Sequence, residues 1–189
     1  LHGSSAASDV YKRQVSNHTR KNSYTLPSLF LKYQPKDWLI LRYANTKTLT
    51  RPNYSDIIPL YNISAGSRSV EYRNPYLEPG VSKNNDYVVS FNNKHLGLLS
   101  FSYFSKKIEG LIFSSGQRYI TDASLYGLPR YAETYRINDY KANNPYVVNL
   151  DGFEIDYQTR FWYLPKLLRG LVFNANYTRT NSEVKYPRT

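Results

Sequence analysis

Two neighbouring runs, Asn84–Asn92 and Leu96–Phe104, constrain the fold of this chain more than any other stretch. In the first, Tyr87, Val89 and Phe91 share a parity with Asn85, while Asp86, Val88 and Ser90 share the other with Asn84 and Asn92. Side chains of an extended strand alternate between faces, so one face is aromatic and aliphatic and the other mostly polar. The second run repeats the design, with Leu99, Phe101 and Tyr103 opposed to Ser100 and Ser102. Asn93-Lys94-His95 is a tight polar connector, and the whole predicts an antiparallel hairpin. Each arm has about the 9–11 residues that a tilted strand needs to cross a bilayer.

The rest of the chain repeats this unit. Leu29 and Leu31, with Phe30 and Lys32 opposite, predict a strand ending at Gln34; Pro35-Lys36-Asp37 reads as a turn. The return strand places Leu39, Leu41 and Tyr43 on one face and Arg42, Ala44 and Thr46 on the other. The second arm of the central hairpin is expected to run on through Phe113. Between Val147 and Phe161, Phe153, Ile155, Tyr157, Thr159 and Phe161 alternate with Gly152, Glu154, Asp156, Gln158 and Arg160. A last strand opposes Leu171, Phe173, Ala175 and Tyr177 to Asn174, Asn176, Thr178 and Thr180. Short turns at Pro35–Asp37, Asn92–His95 and Trp162–Gly170 alternate with long, irregular Pro- and Gly-bearing stretches at Lys47–Lys83 and Ser114–Pro145, and with Asn181–Thr189.

These features predict an all-β fold, an antiparallel up-and-down meander of about six long strands. Short turns on one side and long loops on the other are the asymmetry of outer-membrane barrels, which need at least about eight strands to close. The chain therefore reads as an open piece of a barrel wall, with the short turns periplasmic and the long loops outside. The apolar positions named above face lipid: Leu39, Leu41, Tyr87, Val89, Phe91, Leu99, Phe101, Tyr103, Phe153, Ile155, Tyr157, Phe173 and Tyr177. The lumen receives Arg42, Asp86, Ser90, Ser100, Ser102, Glu154, Asp156, Gln158, Arg160, Asn174 and Asn176.

Composition agrees with that expectation. Twenty Tyr, 8 Phe and 2 Trp suit sheets and exclude a disordered chain. No run approaches the roughly 18 apolar residues of a helical span, and alternating strands need none. The net charge of +11 is spread over single Lys and Arg residues without a nucleic-acid motif, so no nucleic-acid partner is expected. With no Cys there is no disulfide framework or thiol chemistry. The domain reading is 1–23 as a non-native or disordered leader, Ser5–Gln14 resembling a translated sequencing-adapter remnant, and 24–189 as the partial barrel.

Leu26-Pro27-Ser28-Leu29, Leu49-Thr50-Arg51-Pro52-Asn53-Tyr54-Ser55-Asp56, Asn74-Pro75-Tyr76-Leu77-Glu78-Pro79, Gly152 to Gln158 and Phe173 to Thr178 occur in this order. Together they resemble the later strands of TonB-dependent outer-membrane receptors, over roughly Leu26 to Pro187. The resemblance implies a plugged barrel of about 22 strands in the outer membrane of a Gram-negative bacterium. It also implies import of a scarce ligand (iron–siderophore, haem, cobalamin or glycan), energised through an N-terminal plug that contacts TonB. Outer-membrane lipid, the TonB complex and the ligand are the implied partners.

Sites of covalent chemistry are not expected. His2, His18 and His95 are dispersed, and no phosphate-cradling Gly-rich loop is present. Glu154 and Asp156 share a face and could converge for acid–base work or Ca²⁺, but a polar lumen wall balanced by Arg160 explains them better. Neither a cofactor nor an enzymatic activity is expected. Asn53-Tyr54-Ser55, Asn62-Ile63-Ser64 and Asn176-Tyr177-Thr178 match glycosylation acceptors, irrelevant in a bacterium. The loop tyrosines Tyr119, Tyr126, Tyr131, Tyr135 and Tyr140 are candidates for ligand contact, since rigid amphipathic rings anchor recognition at low entropy cost. Trp38, Trp162 and Tyr163, beside short turns, suit an interfacial girdle. The competing reading is a soluble, aromatic-rich β-sandwich or barrel that binds glycans, which alternation alone does not exclude.

Overall fold

The computed structural model describes residues 13–15 and 21–187. In chain order the elements are β1 (Arg13–Val15), β2 (Ser28–Lys36), β3 (Leu39–Thr50), α1 (Tyr54–Ile57), β4 (Leu60–Ser64), β5 (Ser69–Tyr72), β6 (Gly80–Asn93), β7 (Gly97–Glu109), β8 (Ile112–Ser114), β9 (Arg118–Tyr119), β10 (Arg136–Ile137), β11 (Lys141–Asn143), β12 (Val148–Arg160) and β13 (Val172–Glu183). The wall is a six-stranded sheet in the order β13-β12-β7-β6-β3-β2, every neighbouring pair antiparallel and its six strands laid side by side in chain order. This is the meander that alternation predicts.

Register turns the separate alternations into continuous rungs. On one face Tyr33, Leu41, Val89, Phe101, Ile155 and Tyr177 lie side by side across all six strands. One rung toward the short turns are Leu39, Phe91, Leu99, Tyr157 and Ala175. One rung the other way are Leu31, Tyr43, Tyr87, Tyr103 and Phe153, ending on Arg179. The opposite face carries Arg42, Val88, Ser102, Glu154 and Thr178 in one rung and Ile40, Ser90, Ser100, Asp156 and Asn176 in the next. A slip of one residue would exchange the two faces, so the pattern fixes the register.

The apolar face carries no second layer. Phe153 is 39% and Phe173 44% exposed, and Tyr87, Phe101 and Tyr103 are exposed too. That openness contradicts a sandwich, whose inner faces interdigitate. Both flanking strands are bare: every residue of β2 and of β13 is exposed.

Two expectations are corrected. The stretches Lys47–Lys83 and Ser114–Pro145 are not irregular. β3 continues to Thr50 and β6 begins at Gly80, and the loops beyond them fold together into a small head. The second hairpin arm stops at Glu109, where Gly110 (φ 67°) takes a left-handed conformation that glycine adopts without strain, and Ile112–Ser114 turn away to pair with β11. Of the leader, Arg13–Val15 pair with β4 as a short strand; residues 1–12 and 16–20 lie outside the described residues.

Close packing has one sharp point on the polar face. Gly152 lies opposite Phe104, whose ring occupies the space above it: a Cβ there would sit 2.6 Å from Cζ. Phe104 is thus an aromatic residue among the polar rungs, accommodated because its neighbour has no side chain.

Candidate functional site

The buried apolar residues of the molecule lie mainly in the head. Strands β4 and β5 form a hairpin, and their alternation turns Tyr61, Ile63 and Val70 inward. The second loop supplies Ile120, Ala123, Leu128, Ala132 and Ile137, with Val70, Ala132 and Ile137 fully buried. β10 adds to β5 in parallel, joining residues far apart in sequence, and Arg136 N–H donates to the Arg68 carbonyl at 3.0 Å. Asp122 caps the 3-10 turn Ala123–Tyr126 by accepting from the Ser124 hydroxyl at 2.6 Å and from Ser124 N–H at 2.9 Å, and these bonds, the hydroxyl's first, hold its carboxyl below its ordinary pKa. Asn143 ties the head to the wall: its amide donates to the carbonyls of Glu78 (2.7 Å) and Gly110 (2.9 Å) and accepts from Glu78 N–H (2.8 Å).

Two recesses open on the head. A polar cavity of about 220 Å³ is lined by Asp56, Glu71, Tyr72, Arg73, Asn74, Asn138, Asp139 and Lys141. Lys141 Nζ contacts both Asp56 oxygens at 3.0 Å, and Arg73 pairs with Glu71 at 2.9 Å, so opposite charges are already partnered at the rim. Asn74 donates to the Lys141 carbonyl at 3.0 Å and to the Tyr140 hydroxyl at 3.4 Å. Beside it, an apolar recess of about 160 Å³ is lined by Pro59, Leu60, Tyr61, Tyr72, Arg73, Pro75, Tyr126 and Gly127. Tyr72 stands between the two, edge-on to Tyr126 (5.3 Å) and stacked with Tyr140 (6.2 Å), while the Arg118 guanidinium lies 5.5 Å from the Tyr140 ring centre.

Sequence reasoning selected five loop tyrosines, and the head treats them differently. Tyr126 and Tyr140 join the aromatic cluster, Tyr135 packs on the core, and Tyr119 and Tyr131 are exposed. Tyr72, Asp56, Arg73 and Lys141 were missed. Only the short alternation Val70–Tyr72 hints at the first, and nothing local marks the charged three, which meet across loops.

Burial, followed by the neighbouring phenols Tyr140, Tyr76 and Tyr126, pushes the Tyr72 hydroxyl up to about 12. Burial and Tyr126 likewise raise Tyr140, against a lowering by Arg118. Because the folded-state value lies above the unfolded one of about 10, the stability these phenols give is complete below pH 10 and lost as pH rises toward 12. A 295 nm absorbance titration is expected to show a late-ionising phenol that disappears in Tyr72→Phe, with the loops becoming protease-sensitive over the same interval.

On the wall, every residue assigned to the lumen from sequence shares the polar face, and every residue assigned to lipid shares the apolar one. Glu154 and Asp156 converge, but on the Asn176 side-chain amide, which donates to Glu154 Oε1 and, at 3.5 Å, to Asp156 Oδ2. Among the described residues neither carboxylate is ion-paired with Arg160, and no group of His, Asp and Glu is arranged to hold a metal. Aromatic rings mark both limits of the apolar band. At the short-turn end Trp38 stacks on Phe91 (6.2 Å), His95 faces Trp162 (5.4 Å), and Trp162 Nε1 donates to the Lys94 carbonyl at 3.1 Å. At the loop end Tyr43, Tyr87 and Tyr103 touch in series (5.0 and 6.3 Å), and the Tyr43 hydroxyl donates to Asn85 at 3.3 Å.

The family model described as TonB dependent receptor-like, beta-barrel matches residues 3–189. Among solved structures, a mutant of the Pseudomonas aeruginosa ferric enterobactin receptor PfeA is similar over 82% of this chain and 21% of its own, at 19% identity and a TM-score of 0.55. A double mutant of the Serratia marcescens hemophore receptor HasR, in complex with its hemophore HasA and heme, is similar over 85% of this chain and 22% of its own, at 18% identity and a TM-score of 0.56. The chain thus spans about a fifth of the length of these receptors. A search of curated protein sequences returns no match.

Proposed function

The chain belongs to the TonB-dependent receptor β-barrel family, one of transport receptors rather than enzymes, and from that premise we propose that it is a section of outer-membrane wall with two extracellular loops. Both bare edges pair with further strands of a larger, plugged barrel in this reading. The observation that carries it is the uncovered apolar band, three rungs deep across the sheet, backed by a polar face and bounded by aromatic rings at both ends. Bilayer-spanning barrels need this pairing of outward apolar band, aromatic girdles and polar interior. The rings of Trp38 and Trp162 then lie at the periplasmic boundary and the Tyr43–Tyr87–Tyr103 series at the outer one.

The extracellular head takes part in ligand capture. The aromatic recess at Tyr72 and Tyr126 offers ring faces, and the adjoining polar cavity offers Arg73 and Lys141 against Asp56 and Glu71. The similar receptors are a ferric enterobactin receptor and a hemophore receptor in complex with heme, which favours an iron complex over a glycan as cargo. TonB-linked energy enters through a plug elsewhere in the receptor.

The test is expression of the full-length receptor in a receptor-deleted Gram-negative strain. Recovery in the outer membrane with heat-modifiable gel mobility, and restored growth on a ferric-siderophore or haem source, are the expected results. Tyr72→Ala is expected to weaken cargo binding by about tenfold, the scale of a lost aromatic contact of about 1–1.5 kcal/mol. A freely soluble product would sink the wall assignment.

A further inference from the structure

Beyond the tyrosine rung, the apolar face changes character within two rungs. The first holds Asn45, Asn85, Ser105, Asp151 and Asn181, with Leu29 at the β2 edge; the second holds Lys47, Lys83 and Lys107 directly across three adjoining strands, then Asn149 and Glu183. Neighbouring strands are about 4.8 Å apart, so the three ammonium-bearing side chains rise side by side. Like charges directly opposite destabilise a strand pair, and here they do so twice in succession. Compensation is incomplete. Among the described residues Lys83 Nζ meets Glu109 Oε1 at 2.7 Å, one ion-paired carboxylate for three cations, and Glu183 is taken by Lys185 at 3.6 Å. Lys83 and Lys107 remain exposed and Lys47 half-buried.

Position says what would neutralise the row. Four residues separate it from the tyrosines, about 13 Å along a strand and about 10 Å along the membrane normal at the usual tilt. The tyrosines marking the hydrocarbon boundary, the lysines stand at the depth of the headgroups, from where their stems can reach down. We propose that Lys47, Lys83 and Lys107 form a binding site for the phosphate of an anionic lipid in the outer leaflet. The site rests on the wall reading above and lies on the face opposite any transported cargo. Lys106 projects from the other face of β7, in the rung of Asn84 and Leu150, and supplies an internal control.

Native mass spectrometry of the full-length receptor, titrated in mild detergent with diphosphoryl lipid A or with its dephosphorylated form, reads this directly. The wild type is expected to retain the phosphorylated lipid preferentially. The variant Lys47→Gln/Lys83→Gln/Lys107→Gln is expected to bind it about 10–100-fold more weakly, since each basic residue near a charged lipid surface is worth roughly fivefold. Lys106→Gln is expected to bind as the wild type does. If the triple variant loses heat-modifiable mobility, Lys47→Gln and Lys107→Gln are read singly, each with a loss of about threefold to fivefold. Unchanged lipid retention in the triple variant or in both single variants overturns the proposal, as does equal retention of the dephosphorylated lipid. Membrane recovery and growth on the cargo are separate readouts, so the wall reading can stand while this site falls.

Discussion

Ile155→Arg is expected to block assembly of the wall, while Gln158→Arg leaves it nearly intact. Ile155 sits in the middle of the three apolar rungs, flanked by Phe101 and Tyr177, which places it at the bilayer midplane in the proposed orientation. An arginine facing lipid there costs about 2–4 kcal/mol, whereas the same side chain turned to a hydrated interior costs little. Gln158 belongs to the opposite face, across from Leu98 and Asn174. Folding into detergent micelles or vesicles, followed by heat-modifiable mobility, measures both. Equal assembly of the two variants would reverse the assignment of faces.

The second large effect belongs to the head. Ile137→Ala removes a fully buried side chain that packs with Val70 and Ile120 at the seam between the loops. Such truncations cost about 2–5 kcal/mol, and the cavity adds to the lost transfer energy. The backbone ladder of the wall does not involve this position. Limited proteolysis on whole cells is therefore expected to cut both loops quickly in the variant, with heat-modifiable mobility retained. Loss of the folded wall along with the loops would show that head and wall fold as one cooperative unit.

The wall was legible because its information is local. A period of two over about ten residues names the strand, its faces and its partner, and Asn93-Lys94-His95 gives the turn, whereas Pro35-Lys36 fall in an irregular end of β2 and the chain turns at Asp37–Trp38. Where the contrast between faces weakens the ladder still continues, which is why Lys47–Thr50 and Gly80–Lys83 read as loop but are strand. The head was illegible for another reason. Its core residues arrive in runs of two to five, too short for periodicity to register, and they meet through the parallel β5–β10 pairing. The Asp56–Lys141 contact joins residues of the two different loops, so no spacing in either loop announces it. Phe104 shows the limit in one residue: its place among polar rungs makes sense only once Gly152 lies across from it.

The rims of β2 and β13 set a condition on any strand joined to them. What they offer is main-chain donors and acceptors alone, indifferent to which side chains a neighbour brings. The one constraint on a splice is arithmetic. A joint displaced by an even number of residues keeps the mosaic in phase, and one displaced by an odd number turns the panel inside out.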